Sequence, residues 1–319
     1  MAAGVAGRPA PFGPSTVSVG IYPTGPTAIE MVRSIRRQGR AAESAGFDGV
    51  TVSEHHAGFP YYMPQPLQAC EWILSDTSRV WTSPLPTLLL LRNPRLFIEE
   101  LAWTAARHPG RVAVAVAAGY IAADFTATGA LFDTSATTFE GGLTALREAM
   151  APESELVSDP AVAALAAVPI PVLSVGNSVT AARRAARHGL GLALTGGGDR
   201  GRLIDMAEAY VSGGGAGPLV LVRRVWFGEV PPGTTEAVKA AYPASSPSIT
   251  AAATTGQSLF LSGGPDEIVD AIAEECEAIG AQTVNLRAHI PGAPVESLTA
   301  QIDALGGEVA PRLSVVLST

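Results

Sequence analysis

Hydrophobic and polar positions divide the chain into two alternating kinds of segment. Short runs rich in Val, Ile and Leu are typical of buried strands. Between them lie longer segments whose apolar residues recur every three or four positions, as in amphipathic helices. The helical segments also carry end signals, such as Gly46 after one helix and Asn93-Pro94 at the start of another. Strands are predicted at 17–22, 47–52, 80–91, 112–117, 172–175, 190–194, 219–227 and 283–286.

This alternation predicts an α/β fold built on a parallel sheet. Eight strand–helix units, each roughly 25 to 45 residues long, match the number in a (β/α)8 TIM barrel. We therefore predict a flexible leader over residues 1–16 and a single barrel domain over 17–319, with an irregular excursion at 228–258. A doubly wound open sheet is the alternative. A GxGxxG motif after the first strand would favour it, but the segment there is IYPTGPT.

Composition and charge narrow the class of protein. The chain has 319 residues and is 47% hydrophobic, and its net charge of −8 argues against a nucleic-acid or anionic-membrane surface. No stretch approaches the roughly 18 apolar residues that a membrane helix needs. The two cysteines, Cys70 and Cys276, cannot form a disulfide framework, so we expect a cytoplasmic protein.

Titratable residues follow the second predicted strand directly. The segment Ser53-Glu54-His55-His56 comes at the end of this strand, and a loop rich in Tyr, Phe and Pro follows at 59–66. Polar groups at strand ends are how α/β proteins present catalytic residues. Neighbouring side chains of extended backbone point to opposite faces, so we do not expect both histidines in one pocket. Alternatively, the two histidines form a helix cap or a solvated surface pair. Because no further His or Cys is near them in the sequence, we predict no metal site.

Several segments, in this order, resemble the bacterial luciferase-like monooxygenase family. They are AAESAGFDGVTVSEHH, NPRLFIEELAWTAARHPGRVAVAVAAGY, DFTATGALF, PIPVLSVGNSVTAARRAARHGLG and LSGGPDEIVDAIAEECEAIGAQTVNL. The resemblance implies a barrel that binds a flavin or deazaflavin at its C-terminal face. It also implies that the first histidine of the EHH motif, His55, is a general base or proton donor near the flavin. We assign His55, with Glu54 beside it, as the candidate catalytic residues.

The resemblance also implies a cofactor site. In relatives the cofactor phosphate lies against the turn after the fifth strand, and a Gly-Asn-Ser turn that opens a helix offers free N–H groups to an anion. An ordinary helix cap is the alternative. The predicted cofactor-binding residues are Leu85, Pro86, Gly119, Tyr120, Gly176, Asn177, Ser178 and Thr180. The predicted substrate-pocket residues are His56, Phe59, Tyr61, Tyr62 and Met63.

Two departures from the family pattern concern cations. Bacterial luciferase has an arginine where this chain has Ala118, and a second family arginine is replaced by the small residues at 134–138. Arg287, near the end of the last predicted strand, is a candidate replacement, because the eighth loop is a common phosphate site in barrels. A solvated or structurally paired arginine is the alternative.

A proline pair in the third predicted strand falls where the family carries a bulge with a cis peptide beneath the flavin ring. Proline within a parallel strand is unusual, and an X–Pro bond adopts cis at a cost of only about 0.5–1 kcal/mol. We therefore predict that Leu85-Pro86 is cis and lines the floor of the pocket, and that Ser83-Pro84 is trans.

Three functions are compatible with these observations. The first is a monooxygenase that uses O2 and reduced FMN, supplied by a separate flavin reductase, on a small organic substrate. The loop aromatics suggest an aromatic or polyketide-like substrate, and packing of these side chains on the barrel rim is the alternative. The second is a deazaflavin-dependent oxidoreductase that transfers hydride, and the third is a non-catalytic ligand-binding barrel. The resemblance also implies a homodimer, since relatives commonly pair through the helices after the early strands. The apolar residues around Trp72, Ile73 and Trp103 are candidates for that face, and packing of these helices on the barrel is the alternative.

Overall fold

The computed structural model describes residues 9–133, 136–195, 199–242 and 259–318. Its ten strands are β1 Val17–Ile21, β2 Gly49–Val52, β3 Trp81–Pro84, β4 Thr87–Leu88, β5 Val114–Ala117, β6 Val172–Gly176, β7 Gly191–Thr195, β8 Leu219–Phe227, β9 Leu261–Gly263 and β10 Thr283–Arg287. The helices in these ranges are α1 Ala28–Ser44, α2 Pro66–Asp76, α3 Pro94–Arg107, α4 Ala122–Thr128, α5 Ala136–Met150, α6 Pro160–Ala167, α7 Val179–Arg187, α8 Arg200–Ser212, α9 Thr234–Ala241, α10 Pro265–Ile279, α11 Val295–Ala304 and α12 Ala310–Val316.

The strands form one parallel sheet in the order β3-β2-β1-β10-β8-β7-β6-β5-β4, with β9 beside the end of β8. The two ends of this order, β3 and β4, are halves of a single chain segment interrupted at Leu85-Pro86. Thr82 in β3 also bridges to Val112, just before β5. The sheet therefore closes on itself into a barrel of eight strands, which confirms the predicted α/β barrel and excludes the open sheet.

Large aromatic side chains fill the N-terminal end of the barrel. Phe12 is 1% exposed and its ring lies 4.6 Å from that of Trp81. Gly49 on the neighbouring strand makes room, because a Cβ there would lie 2.3 Å from the Trp81 ring. Phe12, which lies within the predicted leader, therefore packs at the bottom of the barrel. Residues 1–8 lie outside the described part of the chain.

Helix ends follow the local signals in the sequence. Asn93 caps α3 by accepting the backbone N–H of Arg95 at 2.9 Å, and Gly280 ends α10 with a left-handed φ of 68°. The sequence pattern did not predict four short helices, α4, α6, α9 and α12, because helices of seven or eight residues complete only about two turns. Part of the predicted excursion forms helix α9, and residues 243–258 lie outside the described ranges. No helix within the described ranges is long and apolar enough to span a membrane.

Candidate functional site

A cavity of about 330 Å³ opens at the carboxyl ends of the barrel strands, within the size range of ligand pockets. The ends of β2, β5, β6, β7, β8 and β10 all contribute to it, as expected for a barrel whose loops build the site. Its polar wall consists of Ser53, Glu54, His55, Asn177, Ser178, Arg184, Thr195, Arg224 and Arg287. Its aromatic wall consists of Tyr62, Tyr120, Phe139 and Tyr242.

His55 and Asp124 form a buried pair in this wall. His55 Nδ1 lies 2.8 Å from Asp124 Oδ2, and Asp124 Oδ1 accepts the backbone N–H of His56 at 2.7 Å. Asp124 is fully buried in the first turn of α4, and His55 is 7% exposed. Because an ionised carboxylate only accepts hydrogen bonds, this contact assigns the His55 proton to Nδ1 and leaves Nε2 for a ligand.

Two rings hold the imidazole in place. Phe59 stacks on His55 with centroids 4.4 Å apart, and Tyr62 meets it edge-on at 4.6 Å. The imidazole is therefore fixed on two sides by aromatic packing and at Nδ1 by a carboxylate. Such constraint orients the remaining nitrogen, which is what a proton-transfer group requires.

Glu54 is buried as well, but both of its oxygens are engaged. Oε2 accepts the Thr87 hydroxyl and the backbone N–H of Leu88, the latter at 2.9 Å. Oε1 pairs with His56 Nε2 at 2.8 Å and with the guanidinium of Arg92. Glu54 therefore ties the loop after β2 to β4 and to the segment that follows β4, and this geometry suits positioning better than proton transfer.

The predicted substrate residues divide into two groups. Tyr62 lines the cavity, whereas His56, Phe59, Tyr61 and Met63 lie outside its wall. His56 is turned toward Glu54, as expected from the alternation of side chains, and Phe59 stands behind His55. Tyr61 has a left-handed φ of 67°, and its ring lies 5.2 Å from that of His289.

Met63 serves the loop through its backbone. Its carbonyl accepts the His55 N–H at 3.2 Å, and its N–H donates to the Ser53 carbonyl at 3.4 Å. The side chain packs against the core between the barrel and its helices. The loop is thereby folded back onto the residues that precede it, which fixes the backbone of His55.

Leu85-Pro86 is a cis peptide bond, as predicted, and within the described residues Ser83-Pro84 is not cis. Pro86 lines the cavity, whereas the Leu85 side chain is fully buried in the barrel interior below it. The Leu85 carbonyl accepts the Ser53 hydroxyl at 2.6 Å and Arg287 Nη2 at 2.8 Å. The prediction that Leu85 itself lines the floor therefore needs correction, because its side chain points into the core.

The loop after β6 and the start of α7 form one wall. Gly176, Asn177 and Ser178 line the cavity, and Thr180 is exposed on the outer side of the helix. Ser178 is the N-cap, and its Oγ accepts the backbone N–H of Ala181 at 3.2 Å. The hydroxyl proton of this cap is still available to a ligand, as are backbone N–H groups of the first helical turn.

Arg184 brings a cation to the same wall. It lines the cavity with its guanidinium 5.4 Å from the Phe139 ring centroid, and its Nε is buried without a hydrogen-bond partner among the described residues. Ala118 also lines the cavity and contributes no charge. Residues 134 and 135 of the second departure lie outside the described ranges. Gly119 and Tyr120, both predicted to bind cofactor, also line the cavity, in the loop after the adjacent strand β5.

Sequence reasoning overlooked Arg224. The two consecutive arginines of β8 face opposite sides of the sheet: Arg223 points outward, 3.2 Å from Glu275 of α10, and Arg224 points into the cavity. Arg224 is in register with Arg287 of β10, which also lines the cavity. A charged pair within the apolar strand LVLVRRVWF was the available signal, because strand alternation sends one member inward.

Burial shifts the pKa values of two groups near Arg224. Burial, followed by the neighbouring Tyr242, raises the pKa of the Tyr62 phenol well above its ordinary value. Burial, followed by the charge of Arg224, lowers the pKa of His289 well below its ordinary value. Both groups are therefore neutral near pH 7 and present hydrogen-bonding atoms without charge.

Fold and site together define an α/β barrel with an oriented histidine–carboxylate pair in a ligand cavity at the C-terminal face. The family that this chain belongs to is the luciferase-like monooxygenases, whose family profile matches residues 14–228. Comparison with curated protein sequences gave no match.

Solved structures of similar fold include enzymes with two kinds of cofactor. The monooxygenase RslO1 from Streptomyces bottropensis is 20% identical, with a TM-score of 0.71 over 93% of this chain and 99% of that one. The oxygenating constituent of 3,6-diketocamphane monooxygenase from Pseudomonas putida, in complex with FMN, is 16% identical, with a TM-score of 0.69 over 90% and 95%. An F420-dependent secondary alcohol dehydrogenase is 18% identical, with a TM-score of 0.69 over 93% and 98%. At these identities the likeness establishes the fold.

Proposed function

We propose that this protein is a monooxygenase that uses reduced FMN and O2 on a small aromatic substrate. The observation that carries the proposal is the His55–Asp124 pair in the cavity wall, at the position where the family's catalytic histidine is expected. A barrel that only bound ligands would have no need of a buried carboxylate to orient that histidine. Family membership supports the same reaction class.

The residues present fit a flavin phosphate. The start of α7 offers N–H groups and the Ser178 hydroxyl, and Arg184 adds a cation with an unpaired Nε. A Cβ at Gly176 would lie 2.7 Å from that of Ala181, so glycine permits the close approach of strand and helix at this turn. We therefore propose that Asn177, Ser178 and Arg184 hold the phosphate. The family arginine that this chain lacks at Ala118 would be replaced by Arg184.

In the proposed reaction, the reduced flavin supplies the electrons that activate O2. His55 donates or accepts a proton at Nε2, while Asp124 holds Nδ1–H and stabilises the imidazolium form when it is present. Phe59 and Tyr62 enclose the imidazole and exclude water from it. Glu54 keeps the two loops around His55 in position through its buried hydrogen bonds.

A deazaflavin-dependent oxidoreductase is the second candidate. Two similar structures favour it, the alcohol dehydrogenase above and the coenzyme F420-dependent tetrahydromethanopterin reductase from Methanopyrus kandleri, which is 16% identical with a TM-score of 0.66 over 93% of this chain and 98% of that one. In that reaction His55 would take the proton from an alcohol as hydride leaves its carbon. The same histidine therefore serves both candidates, and the cofactor distinguishes them.

Titration of the purified chain with FMN, riboflavin and F420 tests the proposal. We expect FMN to bind more tightly than riboflavin, and Arg184→Gln to weaken FMN binding about tenfold while leaving riboflavin unchanged, because only FMN carries the phosphate. Arg183→Gln, an exposed change on the same helix, is the matched control. Oxygen uptake with reduced FMN should then respond to aromatic substrates. Tight F420 binding with hydride transfer, and no FMN binding, would support the second candidate instead.

Partners follow from the same proposal. The reduced flavin would come from a separate flavin reductase. For the proposed homodimer, Trp103 at 55% exposure offers an apolar surface on α3, together with Leu96 at 60%. Ile73 is fully buried in the core and contributes nothing to that surface. Sedimentation at micromolar concentration should give the dimer mass, and Trp103→Glu should shift it to the monomer.

A further inference from the structure

Two arginines stand side by side in the cavity wall without a carboxylate partner. Arg224 of β8 and Arg287 of β10 are register partners on adjacent strands, and both line the cavity. Like charges opposite each other on neighbouring strands destabilise a sheet. Among the described residues, no carboxylate lies within ion-pair distance of either, whereas Arg223 next in the chain has Glu275 at 3.2 Å. An anion bound between the two arginines would remove this repulsion.

The neighbours of Arg224 are hydrogen-bonding groups without negative charge. Its guanidinium lies 5.0 Å from the centroid of the Tyr242 ring, and the hydroxyls of Tyr242 and Tyr62 are 3.0 Å apart. Only one of these two hydroxyl protons is used in that contact, so the other can be donated to a ligand. Arg224 Nη1 has no hydrogen-bond partner among the described residues. Because the Arg224 side chain also hydrogen-bonds Tyr242, Nη1 and one tyrosine hydroxyl proton are the donors left for a ligand.

Further unpaired atoms lie beside these donors. Tyr22 stacks on His289 with centroids 4.0 Å apart, and Tyr22 also meets Tyr62 edge-on at 5.4 Å. The Tyr22 hydroxyl and both ring nitrogens of His289 are buried without partners in the described part of the chain. Buried polar atoms without partners are costly. Tyr22 and His289 lie outside the cavity wall, and Tyr22 contacts it through the ring of Tyr62.

The position differs from that of the phosphate. The proposed phosphate site is built on the loop after β6, and β7 lies between β6 and β8 in the sheet. If Ser178 and Arg184 hold the cofactor phosphate, Arg224 is therefore free to contact a different group. The surrounding wall is aromatic, with Tyr62, Tyr120 and Tyr242. Flat rings prefer such a wall, and oxygen anions prefer arginine.

We propose that Arg224 and Arg287, with Tyr62 and Tyr242, recognise an oxygen anion on an aromatic substrate, either a carboxylate or an ionised phenol. That the bound molecule is the substrate rests on the proposed function, and the chemical class of that substrate is what the two arginines add. Arg287 also donates to the Leu85 carbonyl and Arg224 does not, so Arg224 is the residue to change. Arg224 is a specificity-determining residue, separate from the His55–Asp124 pair.

The test uses the full chain and two probes of nearly equal shape, 2-naphthoate and 2-naphthalenemethanol, titrated by calorimetry with and without FMN. We expect naphthoate to bind at least about tenfold more tightly than the alcohol, since a hydrogen-bonded charge contributes that much. Arg224→Gln should abolish the preference by weakening naphthoate alone. Arg183→Gln, which removes the same charge from the exposed face of α7, should leave it unchanged. Tyr242→Phe gives a second reading, with a smaller loss for naphthoate.

Each outcome decides the proposal. Equal binding of the two probes by the wild-type chain, no binding of either at millimolar concentration, or full naphthoate affinity in Arg224→Gln would overturn it. Loss of FMN affinity in Arg224→Gln, together with competition between FMN and naphthoate, would also overturn it, because the arginines would then serve the cofactor. If FMN fails to bind but the naphthoate preference depends on Arg224, the anion site stands and the flavin function falls.

Discussion

Replacing Asp124 by Asn tests whether Asp124 orients the His55 imidazole, and it leaves the other side chains of the site unchanged. Asp124 presents two acceptor oxygens to two N–H groups, His55 Nδ1–H at 2.8 Å and the His56 backbone N–H at 2.7 Å. Asparagine has one acceptor and one donor, so whichever way the amide lies, one N–H group faces an NH2 group. The backbone N–H cannot change, whereas the imidazole can move its proton to Nε2. We therefore expect the variant to switch the tautomer of His55.

The magnitude follows from the bond that is lost. A hydrogen bond to a charged group contributes about 1.5–3 kcal/mol, which corresponds to a factor of about 10 to 150 in the ratio of the two tautomers. If catalysis requires a free Nε2 lone pair, kcat should fall by a similar factor. The fold should survive, because the amide has nearly the shape of the carboxylate and still accepts the His56 N–H.

Nitrogen-15 NMR of the histidine side chains measures the tautomer directly and needs no substrate. Wild-type His55 should be protonated at Nδ1 and the variant at Nε2, while Asp205→Asn, an exposed change of the same kind on α8, should have no effect. The rate of oxygen uptake with reduced FMN and an aromatic substrate gives the second measurement. An unchanged tautomer in the variant, or Nε2 protonation in the wild-type chain, would refute the reasoning.

Three further predictions concern stability, each measured by urea unfolding. Gly49→Ala should lower the free energy of unfolding by about 1–3 kcal/mol, because the new Cβ would lie 2.3 Å from the Trp81 ring. Gly141→Ala, in open space on α5, should instead raise the free energy of unfolding by about 0.5–1 kcal/mol. Arg92→Met should cost about 3 kcal/mol by leaving the buried Glu54 without its cation, and Glu54→Gln in the same chain should recover part of that loss. Burial and Arg224 lower the pKa of His289, so below about pH 6.5 the unfolded chain binds more protons than the folded one. The free energy of unfolding should therefore decrease as the pH is lowered, by up to about 1.4 kcal/mol per pH unit. The decrease should be less steep in His289→Gln.

Each of these has a result that would contradict it. Equal effects at the two glycines would mean that the ring moves aside without cost. Additive losses in the Arg92 and Glu54 double variant would show that the pair is not coupled. For His289, parallel stability profiles of the wild-type and Gln chains between pH 5 and 7 would place its proton uptake outside this range.

Much of the scaffold was predictable because its signals are local. The N-cap Asn93 and the C-terminal glycine of α10 act within one turn of the helix that they end. The apolar runs of β5 and β7 are buried strands because both faces of a barrel sheet are covered. The cis bond at Leu85-Pro86 was predictable only with the family resemblance, since the proline alone left both isomers open.

The sequence by itself determined the succession of strands and helices, and it marked His55 at the end of a buried strand. Hydrophobic periodicity and end signals act over a few residues, so they can be read without knowledge of neighbours. Only the tertiary structure decided that Asp124, 69 residues further along the chain, meets His55, and that Phe12 closes the base of the barrel. It also decided that Arg224 stands in register with Arg287. Such encounters depend on the closure and register of the whole sheet, which no short segment encodes.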